Sequence, residues 1–241
     1  MGLAAECCNN ESQLDAPLAR RSYMIDSGEE LIVYGDYFDQ DTRSIIAICD
    51  IAGLKPKVEL VDTFKTEHMS DAFTQLNPRQ SIPVLVIKST ERRVVTGDGG
   101  LSSLYNTLVS TQPEVDEKLY PADQYAGISS LMLWHKKTLR KRTARIINSA
   151  LQSSHNARDS CRVVGSLKTD IDALFKEDLQ ECETRLAGGQ KHLTGEHLSI
   201  LDVMIYCEIS TITSLLKEKI PPETAPKLAE WSDKMAKLSA L

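Results

Sequence analysis

The chain has 241 residues, of which 41% are hydrophobic and 26% are charged, and its formal net charge is −6. That length suffices for one large domain or two modest ones with a self-sustaining core. The negative charge argues against nucleic-acid binding as the main role, and no apolar run approaches the roughly 20 residues that span a bilayer.

The cysteines predict neither a disulfide framework nor a zinc site. They are Cys7, Cys8, Cys49, Cys161, Cys182 and Cys207. No two of them form a CxxC pair, and the five histidines lack metal-ligand spacing. We therefore expect no metal, and a reducing compartment such as the cytoplasm or a cytosol-facing structure.

Residues 1–29 are polar and show no helix or strand periodicity, so we interpret them as an extension outside the folded unit. Gly2, followed by Cys7 and Cys8, resembles the pattern for myristoylation plus palmitoylation, a two-signal membrane anchor. The myristoylation pattern has serine or threonine where this chain has Glu6. A plain or partner-bound tail is the favoured interpretation, and membrane attachment would depend on acylation.

The pattern over residues 30–110 predicts the order β-α-β-α-β-β-α. In chain order the predicted elements are 31–34, 45–52, 57–61, 68–76, 84–87, 92–96 and 101–108. A helix between the first two strands predicts a parallel crossover, and the short turn between the last two predicts an antiparallel hairpin. The first half is therefore a small mixed sheet with helices on it.

Residues 111–122, with Pro113 and Pro121, are predicted to form a linker. The strand signal then disappears, and residues 123–241 are predicted to form an all-helical domain. Its helical patterns run over 122–150, 158–187, 199–216 and 224–239. Ser199 and Asp202 have the spacing of a capping box, which ties down the first turn of a buried helix and has no catalytic role.

Several segments resemble the cytosolic glutathione transferases, and their theta class in particular. Residues 77–85 resemble the family's NPxxxVPxL segment, and residues 67–73 resemble the theta-class second helix. Trp134 with residues 138–140 resembles the start of that class's helical domain, and residues 193–202 resemble the TGxxxSxAD signature. The resemblance covers residues 30–240.

This resemblance implies a thioredoxin-like α/β domain at residues 30–110 and an all-α domain at 123–241. It implies a cis peptide bond before Pro83, with the backbone of Ile82 offered to the cysteinyl part of glutathione. Family members usually dimerise through the first domain of one subunit and the helical domain of the other, so the resemblance leaves a homodimer open, although the sequence itself gives no direct sign of one.

A glutathione transferase lowers the pKa of the bound thiol, because the thiolate is the nucleophile. Theta-like enzymes aim a serine hydroxyl at the sulfur from the loop after the first strand, followed by a glutamine and, four residues later, an arginine. In this chain Asp39 takes the place of the serine, whereas Gln40 and Arg43 are retained. An ionised carboxylate has no proton to donate, so the substitution opposes thiol activation.

Three substitutes for the serine remain open. Asp39 could be buried and protonated, or Tyr37 or Thr42 could supply the missing hydroxyl.

The resemblance implies further ligand contacts, and some of the residues concerned also have a simpler structural interpretation. Gly97 and Asp98 align with the acidic-serine pair that holds the γ-glutamyl group, although Asp98 is more simply the N-cap of the following helix. His68 aligns with a residue that meets the glycine carboxylate. Arg140 aligns with an electrophile-site arginine, but it lies in a basic run typical of a solvated helix face.

We therefore predict a transferase-fold protein with impaired catalysis, in which glutathione binding is weak or lost and which acts as a binding or scaffold subunit with protein partners. One alternative is an active theta-like glutathione transferase that conjugates glutathione to electrophiles. Another is a membrane adaptor anchored through Gly2, Cys7 and Cys8.

Overall fold

The first half of the chain forms a four-stranded mixed sheet. A computed structural model describes residues 30–88, 93–96, 100–111, 113–155 and 160–238. The strands β1 to β4 are Glu30–Gly35, Lys57–Leu60, Val84–Lys88 and Arg93–Thr96, and they lie in the order β2-β1-β3-β4. The β1–β2 pair is parallel, and the β1–β3 and β3–β4 pairs are antiparallel, so the predicted crossover and hairpin are both present.

Three helices accompany this sheet, namely α1 (Gln40–Ala52), α2 (Asp71–Leu76) and α3 (Gly100–Thr111). A single 3₁₀ turn, Glu67–Met69, precedes α2. Helix α1 buries Ile45 and Ile48 completely, as their spacing predicts. It ends at Gly53, whose φ of 85° is the left-handed conformation that closes many helices.

The segment predicted as a linker contains a packed helix, α4 (Pro113–Leu119). Its Val115 and Leu119 are fully buried in the main hydrophobic core. Pro113 occupies the first helical position, where the missing N–H costs nothing. The prolines that suggest an irregular connection therefore mark the start and the flank of a helix instead.

The described helices and strands of the second half are all helices, apart from an isolated β-bridge between His192 and Gly195. Its helices are α5 (Tyr125–Trp134), α6 (Arg140–His155), α7 (Ser160–Ala173), α8 (Gln180–Ala187), α9 (Ile200–Leu216) and α10 (Pro226–Met235). A π-helical turn at His135–Leu139 joins α5 to α6, and another at Leu174–Asp178 lies between α7 and α8. In the described part of the chain, no helix is long and apolar enough to cross a membrane.

The capping box of α9 forms as the Ser199–Asp202 spacing predicts. Asp202 Oδ2 accepts hydrogen bonds from Ser199 N at 2.9 Å and from Ser199 Oγ at 2.6 Å. Its Oδ1 accepts from Leu193 N at 2.8 Å and from Trp231 Nε1 at 3.3 Å. Because Asp202 is fully buried, this carboxyl connects the start of α9 to both the preceding loop and α10.

Replacing Asp202 with alanine should lower the free energy of unfolding by about 2–4 kcal/mol, because buried N–H donors lose their acceptor. Urea unfolding measures the loss. The matched control is Asp233→Ala, at an exposed position of α10, where we expect a change within about 0.5 kcal/mol. Equal effects of the two substitutions would contradict the structural role assigned to Asp202.

Candidate functional site

Asp39 is the N-cap residue of α1, with an extended backbone (φ −76°, ψ 124°). Its Oδ2 accepts hydrogen bonds from Thr42 N at 2.6 Å and from Thr42 Oγ1 at 2.8 Å. The carboxylate that stands at the serine position is therefore also the group that caps the helix. The sequence analysis missed this second role, although an aspartate directly before the helical pattern is a recognisable N-cap signal.

The surroundings of Asp39 determine its charge. Burial, and next the negative charge of Asp41, raise the pKa of Asp39 from its ordinary 3.8 to about 6, against the opposing effects of Thr42 and Arg140. At pH 7, which lies above this pKa, most of the molecules carry an ionised Asp39. The group is therefore mainly a hydrogen-bond acceptor at neutral pH.

The two substitute hydroxyls lie in different environments. Thr42 is fully buried, and its hydroxyl donates a hydrogen bond to Asp39. The hydroxyl proton of Thr42 is therefore directed at a carboxylate. Gly35 leaves the space that the Thr42 side chain fills, because a side chain at residue 35 would collide with it. Tyr37 is 54% exposed and lines a pocket of about 280 Å³ with Asp36 and Phe64.

The retained residues Gln40 and Arg43 have unequal roles. Gln40 is the first residue of α1, and its backbone carbonyl accepts a hydrogen bond from Ser44 Oγ at 2.7 Å. The Arg43 guanidinium reaches α9, where it donates to Ser210 Oγ at 3.1 Å and to the carbonyl oxygen of Cys207. Arg43 therefore stabilises the contact between the two halves of the chain.

A cluster of charged groups lies beside the start of α1. Arg140 pairs with Asp41 of α1 and, at 3.4 Å, with Glu208 Oε1 of α9. Glu208 is fully buried and also contacts the side chains of His135 and Thr143. Although burial alone would raise the pKa of Glu208, the contacts with His135 and Arg140 hold it below its usual range. The Glu208 carboxylate is therefore ionised, and its neighbours compensate its negative charge.

The expectation of a solvated basic face is wrong for Arg140. Its side chain is only 26% exposed and forms ion pairs with Asp41 and Glu208. The other basic residues Lys136, Lys137 and Lys141 are exposed. The alternative role of Arg140 at an electrophile site remains a prediction. One signal in the sequence could have indicated this cluster, namely that Glu208 is an acidic residue inside the largely apolar helix α9.

The expected glutathione contacts are described only in part. The Ile82–Pro83 peptide bond is cis, and Ile82 is partly buried. The Nδ1 atom of His68 is buried and has no hydrogen-bond partner within the protein, and the glycine-carboxylate contact of His68 remains a prediction. Gly97 and Asp98 lie outside the described residues, as do Gly2, Cys7 and Cys8.

Among the described residues, no three His, Cys, Asp or Glu side chains are grouped so that they could hold a metal ion. Other polar groups of the site pair with one another, whereas the buried Arg43 Nε and His68 Nδ1 atoms have no hydrogen-bond partner within the protein.

Comparison with known proteins identifies relatives of this chain. Glutathione S-transferase T1 of Arabidopsis thaliana is 27% identical over 191 residues, which cover 77% of this chain and 74% of that protein. Human glutathione S-transferase theta-1 is 24% identical over 211 residues, which cover 85% and 82%. The solved apo structure of human glutathione S-transferase T1-1 matches with a TM-score of 0.65 at 21% identity, covering 85% of this chain and 82% of that chain. No protein-family profile matches the chain.

Replacing Asp39 with asparagine should raise stability at pH 8 by about 1–2 kcal/mol, with the gain vanishing near pH 4. The pKa of Asp39 in the folded protein is about 6 and lies above the ordinary 3.8. Between these two pH values the native state therefore binds more protons than the unfolded state. The stability of the wild type consequently rises as the pH falls through 6. Asparagine keeps the cap but does not titrate.

Urea unfolding at pH 4, 6 and 8 measures this difference. Asp71→Asn, at an exposed position in the first turn of α2, is the matched control and should show no such dependence. An Asp39→Asn variant that is no more stable than the wild type at pH 8 would contradict the burial of this charge.

Replacing Glu208 with glutamine, which has nearly the same shape, should destabilise the fold by about 3 kcal/mol, because Arg140 loses a buried counter-charge and His135 loses its carboxylate partner. Glu181→Gln, which breaks an i,i+4 pair with Arg185 on α8, should cost under about 0.5 kcal/mol. Urea midpoints at pH 7 distinguish the two. A Glu208→Gln variant as stable as the control would show that the cluster contributes no net stability.

Proposed function

We propose that this chain, a theta-like member of the cytosolic glutathione-transferase superfamily with the fold of that family, is impaired in thiol activation and acts as a binding or scaffold protein. The observation that carries the proposal is the Asp39 carboxylate, which is held by Thr42 N–H and O–H at the start of α1. The reaction needs a hydroxyl donor at this place.

Electrostatics gives the direction and size of the impairment. Two like charges about 4 Å apart repel by about 1 kcal/mol in water and about 4 kcal/mol at an effective dielectric of 20. A thiolate bound beside ionised Asp39 would therefore have its pKa raised by roughly 1–3 units. The thiol would stay protonated at neutral pH, where a transferase requires the thiolate.

Features that support ligand binding are better preserved than those that support catalysis. The cis bond that the family resemblance implies before Pro83 is present, and the Nδ1 atom of His68 has no hydrogen-bond partner within the protein. We propose that glutathione or a similar peptide, if it binds, binds weakly and without activation. The scaffold role further implies protein partners, and a homodimer remains part of the proposal.

An active transferase is the second candidate, because Tyr37 offers an exposed hydroxyl two residues before Asp39. The acylated adaptor is a third, and it rests on Gly2, Cys7 and Cys8 alone. The intact mass of protein purified from its native source would reveal the acyl chains of the adaptor.

Asp39→Ser tests the proposal by restoring a hydroxyl. Serine is as good an N-cap as aspartate, so α1 should be retained. We expect negligible wild-type turnover of glutathione with an aryl chloride, an epoxide and a hydroperoxide, and a gain of at least about tenfold in the variant, since each unit of thiol pKa changes the thiolate fraction about tenfold.

Asp39→Asn is the matched control, because it removes the charge without supplying a hydroxyl, and it should gain less than the serine variant. Glutathione affinity is measured by calorimetry on all three proteins. Wild-type turnover that survives Asp39→Ala and is lost in Tyr37→Phe would overturn the proposal in favour of an enzyme that uses Tyr37.

A further inference from the structure

A separate cavity of about 340 Å³ lies between α3, α4, α5 and α9. Tyrosines provide much of its wall. The residues that matter for its chemistry are Tyr105, Tyr120, Tyr125, Asp116, Met132 and Met204. No family motif identified in the sequence predicts this cavity.

The three tyrosine rings form adjoining walls. The ring centroids of Tyr105 and Tyr120 are 6.1 Å apart with their planes at 30°, and those of Tyr120 and Tyr125 are 4.8 Å apart at 60°. In the second pair the edge of one ring packs against the other ring, so the two planes are steeply inclined to each other. Tyr105 is buried at 6% exposure, whereas Tyr125 is 44% exposed, so the aromatic wall extends from the core to the solvent.

A carboxylate accompanies these rings. Tyr105 Oη donates a hydrogen bond to Asp116 Oδ1 at 3.4 Å. Burial, and then the charge of Asp116, raise the pKa of Tyr105 above its usual range, so this residue remains a neutral phenol. Both the carboxylate and the faces of the tyrosine rings carry negative potential, which disfavours an anionic guest and favours a cation.

The apolar lining favours a particular kind of cation. The Met132 and Met204 side chains supply polarisable thioethers that pack against alkyl and aromatic groups. A small inorganic cation would need several oxygen ligands close together, and tyrosine faces supply none. The combination of rings, thioethers and one carboxylate is suited to a bulky ammonium group.

The cavity is also distinct from the site at Asp39. On α9, Met204 precedes Glu208 by one helical turn, or about 6 Å along the axis, and the described lining includes none of Asp39, Asp41 and Arg140. A ligand in the cavity would therefore leave the charged cluster and the start of α1 accessible.

We propose that this cavity binds an organic cation, namely a methylated ammonium group that bears an alkyl or aromatic substituent. The ammonium lies against the faces of Tyr120 and Tyr125 near the Asp116 carboxylate, and the substituent packs toward Met132 and Met204. This site requires neither glutathione binding nor catalysis, so it stands apart from the proposed function of the Asp39 site.

The test uses the full chain with phenyltrimethylammonium, and with tert-butylbenzene as an uncharged probe of the same shape. Ligand-observed NMR at pH 7.5 and low salt measures both affinities. Because cation–π contacts contribute about 0.5–2 kcal/mol, the cation should bind roughly 3- to 30-fold more tightly than the uncharged probe.

Two cavity variants and one distant control locate the site. Tyr125→Leu, at a partly exposed position that should not disturb folding, and Asp116→Asn, which keeps an acceptor for Tyr105, should each weaken cation binding at least about threefold. Leu60→Ala removes an exposed apolar side chain of β2 that lies outside the described lining of the cavity, and it should leave the affinity for the cation unchanged.

The proposal fails if the folded wild-type protein does not bind the cation, or if the two probes bind equally well. It also fails if both cavity variants retain wild-type affinity for the cation. Circular dichroism of each variant, recorded alongside, shows that the proteins compared are folded.

Discussion

The hydrogen bonds from Thr42 to the Asp39 carboxylate determine both how α1 begins and what the site beside it can do. As an N-cap, Asp39 satisfies a backbone N–H that the first turn would otherwise leave without an acceptor. The same bonds hold a largely ionised carboxylate where theta-like enzymes place a hydroxyl. The side chain that caps α1 thus also places a charge that is unfavourable for thiol activation.

The charged cluster beside α1 keeps this arrangement in place. Asp41 is held by Arg140, which is itself held by the buried Glu208 of α9, and Arg43 donates to the same helix. These contacts join the sheet-bearing half to the helical half within one turn of Asp39. A movement of the start of α1 that relieved the carboxylate would leave Glu208 with less compensation, which is costly in a buried setting.

Local patterns in the sequence account for the elements and for the α9 capping box, because strand alternation, helical spacing and short caps extend over only a few residues. The helix α4 was missed because two prolines suggest a loop unless burial is known. The pairing of Arg140 with Asp41 and Glu208 joins residues far apart in the chain, so no local pattern reveals it. The Asp39 cap was detectable from sequence, but the alignment with a catalytic serine drew attention to its charge alone.

The central claim is that a thiol bound beside Asp39 is not activated, and the ionisation of glutathione in complex with the wild-type protein tests it most directly. Ultraviolet titration of thiolate absorbance, with the S-methylglutathione complex as the blank, gives the pKa of the bound thiol. The account predicts a pKa equal to or above that of free glutathione measured in parallel. A pKa lowered by about one unit or more, equivalent to about 1.4 kcal/mol of thiolate stabilisation, would contradict it.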